Sequence, residues 1–420
     1  MAMQLAKGVN LTLIPSKKFK TLSIKISFKS NLSLKKLTER SLLARILERN
    51  SRDYPSQVDL QKALAKLYGA SFGTSVGRRG QVHSLYFNMR IVNDQFVQDP
   101  DLLEKALQFL KAVILRPNLG PEGFDRQTFE REKANLKDDL ESIYDDKRLY
   151  AKLKLLDQFF TDPAQSSSLD GRLEDLDQLD NASLYQAYQG MLAQDEIDIV
   201  VLGDTNEEFL AKLFSDFKFQ DRSRLDLDFY YHQDLPSFQR QEEVQDLIQA
   251  KLNLAYQTDV RYLDDQYFTL QVFNALFGGF PGSKLFLNVR EKESLAYYAS
   301  SNLDPFRGGL YVQAGIDQKE ADRVIDLIKD QHQALIEGDF SQSSLNQAKA
   351  MLKNGLKQSE DSPAGLLNFS YLKQLLAKSI TVEEWIEKIN QVSAQDVKNL
   401  AQDIKLQSIF ILRGADRWRK

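Results

Sequence analysis

The feature of this sequence that most constrains its fold is that its two halves resemble each other. Near the end of the first half, a helical run starting around Ser183 leads into the apolar strand Ile197 to Leu202, which a glycine follows. Near the end of the second half, a helical run starting around Ser393 leads into Ile409 to Leu412, again followed by a glycine. The two sites are about 210 residues apart, and self-similarity at half the chain length indicates duplication of one α/β domain.

Local patterns predict that strands and helices intermix within each half. Residues 21–28 alternate between polar and apolar side chains, which predicts a half-buried strand, and residues 37–48 form a helical run. Ser56 begins a second helix with Asp59 three positions later, an imperfect capping box. The strand pairs look antiparallel, which favours a sandwich. The predicted fold class is α+β, with two homologous α/β sandwich domains related by internal duplication.

A polar stretch separates the two halves. It contains Pro236 and lacks sustained periodicity, as is typical of a linker. The predicted organisation is an N-terminal domain over residues 1–222, a linker over 223–239 and a C-terminal domain over 240–420. We expect the two domains to face each other across a cleft.

The composition excludes several classes of protein. Apolar residues make up 42% and charged residues 27% of the 420 residues, which indicates neither disorder nor a membrane protein. Residues 1–20 lack the apolar stretch of a secretory signal, and the absence of cysteine excludes disulfide and thiolate chemistry. A cytoplasmic location is the simplest interpretation. The net charge of −4 argues against nucleic-acid binding, and no membrane partner is expected.

Lysines are concentrated near the N-terminus, where they flank or alternate with strand residues. Because lysines on a sheet edge discourage aggregation, we interpret this group as a solvated sheet edge. Its members are Lys17, Lys18, Lys20, Lys25, Lys29, Lys35 and Lys36.

The most informative segment runs from Phe277 to Tyr297. A glycine-rich turn leads into a short helix capped near Ser283, and Tyr297 begins an extended run. Arg290 and Tyr297 bracket one tight connection, and an arginine fork beside a phenol suits a peptide carbonyl or carboxylate. An ordinary surface arginine and a half-buried tyrosine are the alternative. A phosphate-binding loop is disfavoured because Ser283 interrupts the required order of glycine and lysine.

This segment resembles the second-domain signature of the insulinase/pitrilysin family of zinc metallopeptidases. The shared pattern is Gly-Gly-x-x-x-Ser-x-Leu-Phe-x-x-Val-Arg-Glu-Lys-x-x-Leu-Ala-Tyr, which puts Arg290 and Tyr297 on the family's substrate-contacting positions. The resemblance covers nearly the whole chain, including Leu310 to Gly315 and, in the first half, Tyr54-Pro55-Ser56, Leu67-Tyr68-Gly69-Ala70, Phe129-Glu130-Arg131-Glu132 and Val201-Leu202-Gly203-Asp204.

The departure from the family is in the metal motif. Relatives bind zinc through H-x-x-E-H and a distant glutamate, but here Ser41-Leu42-Leu43-Ala44-Arg45 stands at the motif position. Ser41 and Arg45 cannot replace imidazole ligands, and Ala44 cannot replace a general base. The third-ligand position falls on Asp139, although Glu132 matches a second acidic position. We therefore expect no metal in this chain.

Other catalytic chemistries find little support. No pair among His83, His232 and His332 has the spacing of helical metal ligands, so structural or surface roles are the simplest interpretation. Neither a cysteine nor a G-x-S-x-G elbow is available for nucleophilic catalysis.

The resemblance implies two functions. In the first, this chain is the non-catalytic, substrate-binding subunit of a heterodimeric zinc metalloendopeptidase, and Arg290 and Tyr297 contact a peptide held at the zinc of an H-x-x-E-H-containing partner. In the second, it is a scaffold or peptide-binding protein without a hydrolytic role. Retention of the arginine and tyrosine favours the first. The chain is also similar to bacterial members associated with elongation factor P modification.

Overall fold

The computed structural model describes residues 3–224, 229–234, 237–376, 378 and 380–415. Its contacts divide the chain into two compact units, each assembled from separate stretches of sequence. Unit 1 comprises Met1–Glu141, Ser168–Asp228 and Ser359–Ser379, and unit 2 comprises Ser142–Ser167, Phe229–Gln358 and Ile380–Lys420. Of the predicted linker, residues 225–228 and 235–236 lie outside the described residues.

The strands lie mainly in two sheets. Their bounds are β1 Met3–Ala6, β2 Val9–Pro15, β3 Thr21–Asn31, β4 Ser71–Arg79, β5 Val82–Val92, β6 Leu119–Gly120, β7 Gly123–Phe124, β8 Glu196–Gly203, β9 Gln239–Gln245, β10 Ala250–Gln257, β11 Ala296–Asp304, β12 Gly309–Ile316 and β13 Lys405–Gly414.

Helices fill the connections between strands. Their bounds are α1 Leu34–Arg49, α2 Gln57–Lys66, α3 Leu102–Leu115, α4 Arg126–Ser142, α5 Lys147–Phe159, α6 Pro163–Ser166, α7 Leu173–Asp177, α8 Asn181–Gln194, α9 Glu207–Ser215, α10 Tyr267–Asn274, α11 Ala321–Glu337, α12 Gln342–Glu360, α13 Pro363–Leu376, α14 Val382–Gln391 and α15 Ala394–Asp403. Two π-helical segments, Ala275–Gly279 and Leu285–Lys292, and 3₁₀ turns at Asp94–Phe96 and Gln318–Glu320 complete the set. Among the described residues, every helix is too short or too polar to span a bilayer.

The two sheets share one strand order, which confirms the predicted duplication. Unit 1 has the order β1-β2-β8-β3-β5-β4, and unit 2, taken from the opposite edge, has β9-β13-β10-β12-β11. From β2 and from β9 onward, the first pair in each sheet is parallel and the other three pairs are antiparallel. The predicted α+β class is therefore also confirmed, with mixed sheets.

Each sheet is packed by one helix from the other half of the sequence. In unit 2, α5 places Ala151, Leu155 and Phe159 in a cluster with Phe410 and Leu412 of β13. In unit 1, α13 brings in the buried Tyr371, whose hydroxyl lies 3.1 Å from Ser84 Oγ and 3.3 Å from Tyr86 Oη. The compact units therefore do not follow the chain as two continuous stretches.

The interpretation of the N-terminal lysines as a solvated sheet edge is wrong for Lys25 and Lys29. Both lie on β3, a central strand between β5 and β8. The ammonium of Lys25 lies over the rings of Tyr86 and Tyr371, at 4.1 and 4.8 Å from their centroids. Lys29 is buried between Asp198 and Glu196. Alternation identifies the polar face of a strand but does not show whether another element covers that face.

Several predicted helix ends are confirmed. Ser56 and Ser393 accept backbone hydrogen bonds as the N-caps of α2 and α15. The helix expected around Ser183 begins slightly earlier, at Asn181, because Asp180 is its N-cap and forms a reciprocal capping box with Ser183.

Candidate functional site

Residues 41–45, which the resemblance assigns to the metal motif, are a regular part of α1. Ser41 is buried and its hydroxyl donates to Asp170 Oδ1 at 2.9 Å. The backbone oxygen of Ala44 accepts from Thr74 Oγ1 at 2.8 Å. The Ser41 hydroxyl is thus hydrogen-bonded and the Ala44 methyl group is buried, and neither side chain supplies a metal ligand or a base.

Arg45 forms an ion pair with Asp139, so the structure brings together two of the positions that the resemblance assigned to metal binding. Arg45 Nη2 lies 2.7 Å from Asp139 Oδ2, with the two side chains 25% and 61% exposed. One helical turn further along α1, Arg49 Nε lies 3.2 Å from Glu132 Oε1. Arg45 and Arg49 are four residues apart on α1, and Asp139 and Glu132 are seven residues apart on α4, so the two ion pairs are successive contacts between the helices. The Arg45 guanidinium therefore neutralises Asp139, the acid to which the resemblance assigns the third-ligand position.

Glu132 is the more deeply buried of the two acids. Its side chain is 1% exposed, and it also accepts hydrogen bonds from Arg131 Nε at 2.9 Å and Asn135 Nδ2 at 3.3 Å. A buried carboxylate with three donors is fully satisfied within the protein. Glu132 is therefore part of the packing between α1 and α4.

The three histidines lie in different environments, and His232 is exposed beside the guanidinium of Arg261. His83 on β5 is fully buried, and burial, followed by the charges of Arg40, Arg78 and Lys36, lowers its pKa well below the usual value. His332 on α11 lies 3.1 Å from the oxygen of Ala401, and burial lowers its pKa. Across the residues that the structure describes, no group of three or more histidine, aspartate or glutamate side chains is placed to hold a metal ion.

The glycines before Arg290 allow close packing of π-helical turns. A Cβ on Gly278 would lie 2.7 Å from Ser301 Oγ, and one on Gly279 would lie 2.8 Å from Asn274 Nδ2. Ser301 and Asn274 are themselves joined by a 2.6 Å hydrogen bond, which ties β11 to the end of α10. The glycine-rich turn therefore serves the packing of this connection.

Arg290 lies near the end of the second π-helical segment and rests on an aromatic ring. Its guanidinium carbon is 4.7 Å from the ring centroid of Phe286, and its Nε is 3.5 Å from Glu291 Oε1. The side chain remains 43% exposed. Phe286 thus supports the Arg290 guanidinium. The motif did not predict this contact, although an aromatic residue four positions before a helical arginine is a recognisable pattern.

Tyr297 is the extra residue of a β-bulge. Ala296 pairs with Ile316 and Tyr298 pairs with the next residue, Gly315, so Tyr297 has no partner in the ladder. Its side chain is 83% exposed. Bulges re-aim side chains and recur beside functional sites. Because of the bulge, the Tyr297 side chain does not follow the regular alternation of side chains along β11.

The connection between Arg290 and Tyr297 is closed by backbone hydrogen bonds. Leu295 N donates to Val289 O at 3.1 Å, and Glu293 N donates to Asn288 O at 3.2 Å. Ser294 has a positive φ of 54°, which reverses the chain. Within the described chain, Arg290 and Tyr297 are not hydrogen-bonded to each other. The side chains of Arg290 and Tyr297 therefore extend from a hydrogen-bonded connection, and both are exposed to solvent.

Known proteins resemble this chain in sequence and in structure. Residues 178–352 match the family model described as the peptidase M16 inactive domain. The chain is 32% identical to the "Probable inactive metalloprotease YmfF" of Bacillus subtilis over 412 residues, covering 97% of this chain and 96% of the relative. A crystal structure of a conserved protein from Enterococcus faecalis is similar at a TM-score of 0.95 and 44% identity, covering 99% and 98% of the two chains.

A third comparison concerns the fold alone. The peptidase M16 inactive domain from Pseudomonas fluorescens superposes with a TM-score of 0.79 at 16% identity, covering 99% of this chain and 98% of that one. The fold, the matched model and the full-length relative agree with the motif around Arg290 and Tyr297. This chain belongs to the M16 family of metallopeptidases, the insulinase/pitrilysin family.

Proposed function

We propose that this chain is the non-catalytic, substrate-binding subunit of a heterodimeric zinc metalloendopeptidase. The observation that carries the proposal is Tyr297, a ring 83% exposed on the extra residue of a β-bulge. A bulge disrupts the ladder, and an exposed ring keeps apolar surface in water, so both cost stability. A scaffold gains nothing from this arrangement, whereas a phenol that contacts a bound peptide requires it.

The need for a partner follows from the degenerate motif. Ser41 and Arg45 are not zinc ligands, Ala44 is not a base, and Arg45 is already paired with Asp139. The Bacillus relative is named a probable inactive metalloprotease, which suits a chain that does not hydrolyse peptides alone. An H-x-x-E-H-containing relative would hold the zinc and complete the site.

Arg290 and Tyr297 would act on the oxygen of the scissile carbonyl. The partner's zinc would supply an activated water. Negative charge grows on the carbonyl oxygen during attack, and donors placed beforehand around that oxygen stabilise it. Arg290 donates from a charged fork that Phe286 keeps in place, and Tyr297 donates from its hydroxyl.

The test is cleavage of an unstructured fluorogenic peptide by the complex of this chain with an H-x-x-E-H-containing relative from the same organism. Arg290→Ala and Tyr297→Phe should each reduce kcat by about 10²–10³-fold while leaving the partner's zinc content unchanged. Because the two donors serve one oxygen, the double variant should lose less than the product of the single losses. Matched controls are Arg52→Ala and Tyr68→Phe, which change an arginine and a tyrosine that are also exposed.

Full activity in both single variants contradicts the proposal, because the pair is then not used. A rise in KM with unchanged kcat is consistent with substrate binding but contradicts the proposed stabilisation of the carbonyl oxygen. Failure to form a one-to-one complex with the relative favours the alternative function, a scaffold or peptide-binding protein without a hydrolytic role.

A further inference from the structure

A second group of side chains in unit 2 surrounds the residue that follows Tyr297, and the proposed chemistry does not use it. Tyr298 follows Tyr297 on β11, and the guanidinium carbon of Arg148, from α5, lies 4.8 Å from the centroid of its ring. The ammonium of Lys251, from β10, lies 6.0 Å from the same centroid. One helix and two strands thus bring two cations to a single aromatic ring.

The position of the Tyr298 ring depends on a glycine. Gly315 on β12 pairs with Tyr298 on one side and with Lys251 on the other. A Cβ at Gly315 would lie 2.4 Å from Tyr298 Cε1, closer than two carbon atoms can approach. The missing side chain therefore lets the ring lie across β12 toward Lys251.

The two cations have uncharged partners. Arg148 Nη2 lies 3.5 Å from Gln313 Oε1, and Lys251 Nζ donates to Gln249 Oε1 at 2.6 Å. Within residues 3–224, 229–234, 237–376, 378 and 380–415, neither forms an ion pair with a carboxylate. Lys251 is partly buried, whereas Arg148 is exposed. A partly buried cation is normally paired, so Lys251 has an unmet preference for an anion, and the nearby Arg148 adds a second positive charge.

Nearby charges agree with that conclusion. Burial, followed by the charge of Arg148, lowers the pKa of Lys251, and Asp146 opposes this effect. The Asp146 carboxylate accepts hydrogen bonds from the backbone N–H groups of Arg148 and Leu149, both at 3.0 Å, as the N-cap of α5. Asp146 is therefore engaged with the helix end, and the cluster keeps one net positive charge.

We propose that Arg148, Lys251 and Tyr298 form a subsite that binds a carboxylate of a peptide. Arginine can hold both carboxylate oxygens, lysine adds a compact charge, and the ring supports the planar guanidinium. The carboxylate is either the C-terminal group or an aspartate or glutamate side chain. Its role in proteolysis rests on the proposed function, because the peptide would be the one contacted by Arg290 and Tyr297.

Binding is measured by fluorescence anisotropy on the purified full-length chain, without a partner. The probes are three labelled forms of one unstructured peptide: one with a free C-terminal carboxylate and no acidic residue, one amidated with a single internal aspartate, and one amidated without acid. Arg148→Gln and Lys251→Gln remove one charge each. Arg148→Lys keeps the charge and removes the planar fork. Lys154→Gln removes a charge from the same helix and is the matched control.

The expected result is that at least one acidic probe binds about tenfold more tightly than the neutral probe. The probe that gains identifies the source of the carboxylate. Arg148→Gln and Lys251→Gln should abolish this preference, Arg148→Lys should weaken it, and Lys154→Gln should preserve it. Equal binding of the three probes, absence of binding, or the same preference in Arg148→Gln and Lys154→Gln overturns the subsite.

The subsite and the proposed function fail in different ways. A carboxylate preference that depends on Arg148, together with cleavage that is indifferent to Arg290 and Tyr297, supports the subsite and refutes the proposed function. Cleavage that depends on Arg290 and Tyr297, without any carboxylate preference, refutes the subsite and supports the proposed function.

Discussion

Replacing Lys29 by methionine is expected to destabilise unit 1 strongly. Lys29 is 2% exposed on the central strand β3, and its ammonium contacts Asp198 and, at 3.0 Å, Glu196. The side chains of these two acids are only 1% and 13% exposed. Burial alone lowers the pKa of Lys29, but the two carboxylates raise it overall, so the ammonium is charged. Methionine keeps the unbranched stem of the side chain without the terminal ammonium, and so removes that charge.

The magnitude follows from what remains after the substitution. Asp198 would keep a 3.0 Å hydrogen bond from Asn10 Nδ2 but would have lost its counter-charge in a buried position. Breaking a buried ion pair from one side costs about 3–5 kcal/mol. That loss is a large part of the 5–15 kcal/mol that is typical of folded domains. We expect the Lys29→Met variant to lose about 3 kcal/mol or more of unfolding free energy.

The assay is urea unfolding followed by circular dichroism at neutral pH. Lys35→Met is the matched control, because Lys35 is 78% exposed and its pair with Glu39 is an i,i+4 surface contact, a type that contributes about 0.5 kcal/mol. Adding Asp198→Asn to Lys29→Met removes the uncompensated charge and should recover part of the loss. Equal, small effects of Lys29→Met and Lys35→Met, or no recovery in the double variant, would refute the reasoning.

Three further predictions concern stability and metal content. Lowering the pH below about 6.5 should reduce the unfolding free energy by up to about 1.4 kcal/mol per pH unit. Burial, followed by nearby cations, lowers the pKa of His83 in the folded chain. The unfolded chain therefore binds the proton at a higher pH than the folded chain, and acid favours unfolding. Urea unfolding of the wild type and of His83→Phe over a pH series checks this, and equal pH dependence of the two contradicts it. Arg45→Ala should lower the unfolding free energy by less than about 1 kcal/mol, since Arg45 and Asp139 are both partly exposed. Glu132→Ala should lower it several times more, because Glu132 is buried. Similar losses of the two variants in thermal unfolding would contradict this difference in burial. Metal analysis of the purified chain should find no stoichiometric zinc, and tightly bound zinc at one per chain would contradict the assignment of Ser41, Ala44 and Arg45.

The features that were predictable from the sequence are those that local periodicity indicates. Strict alternation over residues 21–28 indicated a strand with one apolar face, and Leu22, Ile24, Ile26 and Phe28 are all buried on β3. The repeated helix and strand at the end of each half indicated the duplication, and both sheets share one strand order. Caps such as Ser56 and Ser393 were identifiable because they satisfy backbone donors within a few residues. These features depend on neighbours in the chain.

Features that depend on distant residues were not predictable. No local pattern indicates that α5 packs in unit 2 or that α13 covers polar residues of β3 and β5, and the lysines were misplaced for this reason. The pair of Arg45 with Asp139 and the stacking of Arg148 on Tyr298 join residues far apart in sequence. The bulge at Tyr297 depends on its register with β12. The motif identified Tyr297, but the direction of its side chain depends on how β11 pairs with β12.

The connection between β3 and β4 in unit 1 differs from the corresponding connection between β10 and β11 in unit 2. This difference favours peptide binding by the second half. Between β3 and β4 the chain forms two regular helices, and α1 is tied to α4 by ion pairs. Between β10 and β11, α10 passes into two π-helical segments and then directly into the bulge at Tyr297. π-helical turns are rare, and bulges interrupt pairing, so this path is less stable than a regular one. Its consequence is that Arg290 stacks on Phe286 and Tyr297 extends into solvent. Structural packing alone would be better served by the regular helices of unit 1, so contact with a ligand explains the irregular path more simply.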